Sequence, residues 1–139
     1  MAKKTKKSIE EQIETDVKVE LFSLGVHPYA KTEEINPEIT SALASAPSKN
    51  GGQGNNYPDI KTLIATSSGR KIPVMIEVKG TNGDFVKFDN HGGIAMSDTN
   101  GKPIYANRKK YAVNGAVHYA EAVIKYSQTS EKFSATTLA

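Results

Sequence analysis

Two carboxylates and a lysine carry the chemistry that this sequence offers. Residues 57–80 read YPDIKTLIATSSGRKIPVMIEVKG, with Pro58-Asp59 opening a strand-like run and Glu77-Val78-Lys79 closing a second one. Carboxylates at the ends of two paired strands can hold a divalent cation, and a lysine beside them can aim a water or offset phosphate charge. That is the equipment of phosphodiester hydrolysis. As text the pattern is weak, because an aspartate after a proline is a common way to open a strand and Glu-x-Lys is a common solvated ion pair. Its setting gives it weight. Charges close to a run as apolar as Ile72 to Val78 are costly without a cation or a partner.

The turn decides whether the two acids meet. Side chains alternate along a strand, so Glu77 and Lys79 share one face while Val74, Ile76 and Val78 share the other. A three-residue loop Ser67-Ser68-Gly69, with Gly69 left-handed, pairs Thr66 with Arg70. Counting back sets Ile64 opposite Ile72, Thr62 opposite Val74, Ile60 opposite Ile76 and Asp59 opposite Glu77. The same register collects one apolar face, expected to pack on a helix, and a two- or four-residue loop would send Asp59 to the wrong side.

The flanking elements must hold this hairpin. Residues 8–24 read as an amphipathic helix capped by Ser8, with Ile9, Ile13, Val17, Leu21 and Leu24 as its buried stripe and Gly25 as its stop. Glu14 and Glu20 lie beside the stripe. Val26 to Ile35 offers a short edge strand, since Pro28 argues against a central one. Asn36-Pro37-Glu38 opens a helix to about Ala46. The polar, glycine-rich loop Ser48 to Asn56 runs into Asp59 and suits a substrate contact. No GKS or GKT follows it, which argues against a nucleotide loop. Beyond Gly80, Phe85–Asp89 alternates, and Ile94–Ser97 and Pro103–Ala106 flank an Asn100-Gly101 hairpin turn. Asn107 then caps a helix to about Tyr126 with an apolar stripe of Val113, Ala116, Val117, Ala120, Val123 and Ile124. Phe133 begins a final strand, after which the chain reads as cut short.

Bulk properties narrow the classes. The 139 residues, 37% hydrophobic and 24% charged, fit one domain over 8–139 behind a basic, disordered tail over 1–7. No apolar run approaches the ~20 residues of a membrane span, and MAKKTKKS has no apolar segment behind it, so a cytoplasmic protein without membrane contact is expected. The absence of cysteine excludes disulfides and thiolate zinc sites. His27, His91 and His118 share no metal-ligand spacing, and there is no GxSxG elbow. The net charge of +3 includes Arg108-Lys109-Lys110 at a helix start, where cations are unfavourable unless an anion is near.

Together these residues resemble the PD-(D/E)XK nuclease superfamily, with PD at Pro58-Asp59 and ExK at Glu77-Val78-Lys79. "IETDVKVELFSLG", "GGQGNNYPDI" and "KKYAVNGAVHYAEAVI" are similar to nuclease domains at the amino end of type I and fused nuclease-methyltransferase restriction enzymes. The likeness spans roughly residues 8–126, and only PD and ExK are diagnostic. It implies an α/β (α+β) fold with the restriction-endonuclease-like αβββαβ core, a mixed central sheet flanked by helices. It implies Mg²⁺, or Mn²⁺ in its place, on Asp59, Glu77 and the Val78 carbonyl. Lys79 would orient the attacking water, and Glu14 would support a second metal or hold Lys79. The implied partners are double-stranded DNA, methyltransferase or translocase domains on a longer protein, and a second copy of the chain. Lys109, Lys110, Asn56 and Tyr119 are the candidate DNA contacts. Gly115 stands where many relatives carry a glutamine four residues before a tyrosine, so here that position offers no side chain for the auxiliary role. The alternatives are a repair or junction-resolving nuclease of the same fold and a DNA-binding module without catalysis.

Overall fold

One turn fixes the register of the sheet. Gly69 adopts φ +83°, a conformation that side chains disfavour, and the loop closes through Gly69 N–H to the Thr66 carbonyl and Thr66 N–H to the Arg70 carbonyl. The resulting hairpin joins β2 (Ile60–Ala65) to β3 (Lys71–Ile76), with Ile60 opposite Ile76, Thr62 opposite Val74 and Ile64 opposite Ile72. This is the register expected from the hydrophobic pattern. The computed structural model describes residues 6–52 and 56–129.

The architecture is α+β. A three-stranded antiparallel sheet of order β1-β2-β3 is accompanied by helices, with β1 reduced to Tyr29–Ala30 on the free side of β2. The mixed sheet expected from the resemblance is not present among the described residues. Before the hairpin come α1 (Lys6–Ser23) and α2 (Pro37–Ala44); after it come α3 (Tyr105–Lys110) and α4 (Ala112–Thr129). The expected strand at Phe133, most of the basic tail and the middle of the 48–56 loop lie outside the described residues.

α2 begins as its sequence requires. Asn36 accepts the Ile39 N–H at 2.8 Å through its side chain, and Pro37 takes the first helical position. Ile39, Ala42 and Leu43 then join Tyr119 and Val123 of α4 in the core, with Leu63 and Met75 packed against them. The α2–α4 core therefore lies on the sheet face that alternates with Ile60, Thr62 and Ile64, while on the expected apolar face Ile76 lines a groove with Ile13 and Val17 of α1. The pattern identified an apolar face, but Leu63, Pro73 and Met75 give the other face enough apolar surface to receive two helices. Ile60 and Thr62 are nevertheless fully buried.

α1 is held more loosely. Its carboxyl end closes as anticipated at Gly25, through Gly25 N–H to the Phe22 carbonyl and Val26 N–H to the Leu21 carbonyl. Ser8 lies inside the helix, not at its cap. Of the expected stripe, Ile9, Val17 and Leu21 are half-buried, whereas Ile13 and Leu24 are exposed, as are Val19 and Phe22. Glu10 ties α1 to the end of the hairpin by accepting the Gly80 N–H at 3.0 Å.

Between Gly80 and α3 the chain forms no strands. Only single bridges, Phe88 to Ile94 and Ser97 to Pro103, replace the expected hairpin. Two aspartates explain this. Asp89 accepts the N–H groups of His91 and Gly93, and Asp98 those of Asn100 and Lys102, so each side chain closes a local turn that competes with strand pairing. The long helix is also broken. Tyr111 is extended, at φ −105° and ψ 136°, and separates α3 from α4. Asn107 sits inside α3 and donates to the Ala95 carbonyl instead of capping. The break frees Val113 N–H for the Phe85 carbonyl and sends the fully buried Asn114 into the 85–95 segment. Consequently the buried face of α4 is Ala112, Asn114, Gly115, His118, Tyr119, Ala122 and Val123, rotated from the expected stripe.

Candidate active site

The hairpin register carries on one step past the strand ends and joins Asp59 to Glu77. Asp59 N–H reaches Glu77 Oε1 at 3.3 Å, and Val78 N–H donates to Asp59 Oδ2 at 2.8 Å. Each carboxylate thus spends one oxygen on the backbone of the other strand. Each gives its second oxygen to a lysine: Lys31 Nζ lies 3.0 Å from Asp59 Oδ1, and Lys49 Nζ lies 2.6 Å from Glu77 Oε2. The Glu77 side chain is 3% exposed and that of Asp59 11%.

Burial raises the pKa of Glu77 and the nearby Asp59 charge raises it further, while Lys49 pulls against both. Lys31 moves above its ordinary value, chiefly through its hydrogen bond to Asp59. Glu14, on α1, is raised by burial first and by the Asp59 charge next, with Lys31 opposing. It feels the site through space. Among the described residues no group of three or more His, Asp or Glu side chains is placed to hold a metal ion. The carboxylate oxygens not held by a backbone N–H are Asp59 Oδ1 and Glu77 Oε2, each paired with a lysine. Mg²⁺ is commonly bound through one or two carboxylates, with water completing its shell.

Lys79 points elsewhere. Its Nζ donates to the Lys109 carbonyl at 3.0 Å, the last turn of α3, and contributes only a small lowering to Glu77. Glu14 therefore does not hold Lys79. Val78 is buried, with its side chain in a groove lined by Ile13, Val17, Ile76 and Phe85. Lys109 and Lys110 are exposed on α3, with the Lys110 ammonium 5.4 Å from the Tyr111 ring centroid.

Two candidate DNA contacts are interior residues. The amide of Asn56, 4% exposed, donates to the carbonyls of Leu43, Ala46 and Pro47 and meets His118 Nε2 through its oxygen. Tyr119 is 2% exposed, donates its hydroxyl to the Tyr57 carbonyl at 3.3 Å, and lies under the Lys49 ammonium at 5.0 Å. Burial, with the charges of Glu77 and Asp59, pushes its pKa far above the ordinary tyrosine range. It is the floor of the site. Arg108, read as part of a surface cluster, is also buried: it donates to the Met96 carbonyl from Nε and Nη2 and to His118 Nδ1 from Nη1 at 3.0 Å. With Nδ1 accepting, His118 carries its proton on Nε2 and gives it to the Pro47 carbonyl at 2.8 Å.

Two residues of the site were not singled out from the sequence, Lys31 and Lys49, and Gly115 was noted only as a departure from the relatives. Lys49 is delivered by a turn in which Gly51 N–H meets the Ser48 carbonyl, and Gly51 has φ +83° and so little room that a Cβ would come within 2.7 Å of the Tyr105 ring. Gly115 lets α4 lie on Glu77; a Cβ there would sit 2.8 Å from the Arg108 carbonyl and 3.4 Å from Glu77 Cγ. A lysine in the loop leading to PD is the signal that could have found Lys49. Comparison of the chain with protein-family models, curated proteins and solved structures gives no match.

Proposed function

We propose that this chain is a Mg²⁺-dependent endodeoxyribonuclease domain of the PD-(D/E)XK type, acting on double-stranded DNA as the nuclease part of a restriction-modification protein. The observation that carries the reading is the junction of Asp59 and Glu77, whose inner oxygens are anchored on backbone N–H groups and whose outer oxygens already hold cations. The order α1, β1, α2, β2, β3, α3, α4 supports the reading only in its coarse outline, a leading helix, antiparallel strands and closing helices.

Asp59 Oδ1 and Glu77 Oε2 would hold the ion, with the Val78 carbonyl completing the protein ligands. When bound, Mg²⁺ supplies a more acidic water and neutralises charge that develops on the phosphate. Lys79, on a half-exposed side chain tied only to a carbonyl, is free to turn to the phosphate and orient the water. Lys109 and Lys110 supply backbone contacts, and Glu14 adds negative charge beside Asp59.

Plasmid nicking in Mg²⁺ tests this. Asp59→Ala and Lys79→Ala should each abolish it, and activity undiminished in both would remove the idea. A second reading, a DNA-binding module without catalysis, is favoured by the neutralisation of both carboxylates by lysines; it requires DNA binding with no Mg²⁺ uptake in calorimetry.

A further inference from the structure

The two lysines do not belong to the PD and ExK elements, and they occupy the oxygens that a metal ion would need. Lys31 comes from the end of the edge strand and Lys49 from the 48–52 turn, so each can leave without disturbing the hairpin. The charges count simply. Two carboxylates and two ammonium groups make a neutral cluster, and a divalent cation added to it leaves an excess of two positive charges in a largely desolvated place. Like-charge repulsion then drives the ammonium groups outward. Phosphate oxygens are the anions that a DNA substrate would bring to the same spot.

We propose that Lys31 and Lys49 are positioning residues with two alternative partners: without metal they hold Asp59 and Glu77 in place, and on metal binding they pass to the DNA backbone beside the scissile phosphate. This rests on the nuclease reading. It makes the lysines competitors of Mg²⁺ in the free protein and phosphate ligands in the complex. The side chain of Lys31 is 53% exposed and that of Lys49 18%, so Lys31 moves more freely and Lys49 guards the more buried oxygen.

Two measurements on Lys31→Met and Lys49→Met test it, with circular dichroism to confirm folding. In calorimetry without DNA, Mg²⁺ should bind roughly two- to fivefold tighter to Lys31→Met, the scale of a half-exposed ion pair. Lys49→Met should tighten it by about tenfold or more, since its pair is more buried. In a Lys79→Ala background that blocks cleavage, the slope of log affinity for duplex DNA against log salt should fall by about one per lysine removed with Mg²⁺ present, and stay unchanged without Mg²⁺. A lysine that only braces the fold would weaken Mg²⁺ uptake and leave the slope alone. Unchanged or weaker Mg²⁺ binding in the folded variants overturns the proposal, and so does a slope that ignores Mg²⁺. If Lys49→Met does not fold, Lys31→Met decides alone. Wild-type protein that cleaves DNA while these variants bind Mg²⁺ normally sinks this inference only; wild-type protein that binds no Mg²⁺ sinks the nuclease reading with it.

Discussion

Two buried polar clusters lie on either side of Tyr119, and they are satisfied in opposite ways. Around His118, the partners of Arg108 and Asn56 are mostly main-chain carbonyls, those of Leu43, Ala46, Pro47 and Met96, which cannot leave without unfolding the chain. Around Glu77, the inner oxygens are fixed on the main chain but the outer ones are met by lysine ammonium groups on long side chains. The first cluster is closed and the second is exchangeable. Desolvated polar groups with irreplaceable partners belong to structure, whereas desolvated charges with replaceable partners are where a ligand can enter.

The sharpest way to break the contrast is to open the closed cluster. Arg108→Ala leaves His118 Nδ1 and the Met96 carbonyl without their donor, and stability should drop by about 3 kcal/mol in urea unfolding, the cost of unpaired buried groups. A loss below about 1 kcal/mol would mean that water replaces the guanidinium, and the cluster would not be closed. Gly115→Ala acts between the clusters. The new Cβ presses on the Arg108 carbonyl and on Glu77, so about 2 kcal/mol should be lost through overpacking.

Protonation separates the clusters further. Burial first, and the Arg108 charge after it, hold His118 below its ordinary 6.5, so the unfolded chain takes up a proton before the folded one does. The stability it contributes is full above about pH 6.5 and is lost as the pH falls through the lower folded value. His118→Gln should flatten that decline in unfolding midpoints measured across this window. Glu77 has the opposite sign: its raised pKa means that the penalty for its buried charge is relieved as the pH falls, and that contribution survives in His118→Gln. The smallest effect belongs to the surface. Lys109→Ala and Lys110→Ala should change stability by less than ~0.5 kcal/mol. Each should nevertheless lower the salt slope of DNA binding by about one, with or without Mg²⁺.

The exchangeable cluster was half legible in the sequence. The pairing of Asp59 with Glu77 followed from a three-residue turn and an alternating apolar pattern, both local signals that fix register. The start of α2 followed in the same way from Asn36-Pro37-Glu38. Lys31 and Lys49 were not legible as partners, because they are 28 residues from the carboxylates they bind and come from loops with no period to count. The covering of the sheet was legible on one face only: alternation shows which residues share a face but not that α2 and α4 pack against the other one. The break at Tyr111 hid behind good helix formers on both sides, and what imposes it is the distant 85–95 segment that captures Val113 and Asn114. Tyr119 and Asn56 looked available for DNA because polar and aromatic residues beside a site are ambiguous until burial is known.

Supercoiled plasmid nicking in Mg²⁺ by wild-type protein and by Asp59→Asn, a substitution that keeps the shape of the side chain and removes its charge, tests the central claim most directly. The expected result is metal-dependent nicking by the wild type and a loss of about a thousandfold or more in the variant, with an unfolding midpoint close to wild type. Equal nicking by both proteins, or nicking that persists when Mg²⁺ is removed by a chelator, would contradict the account.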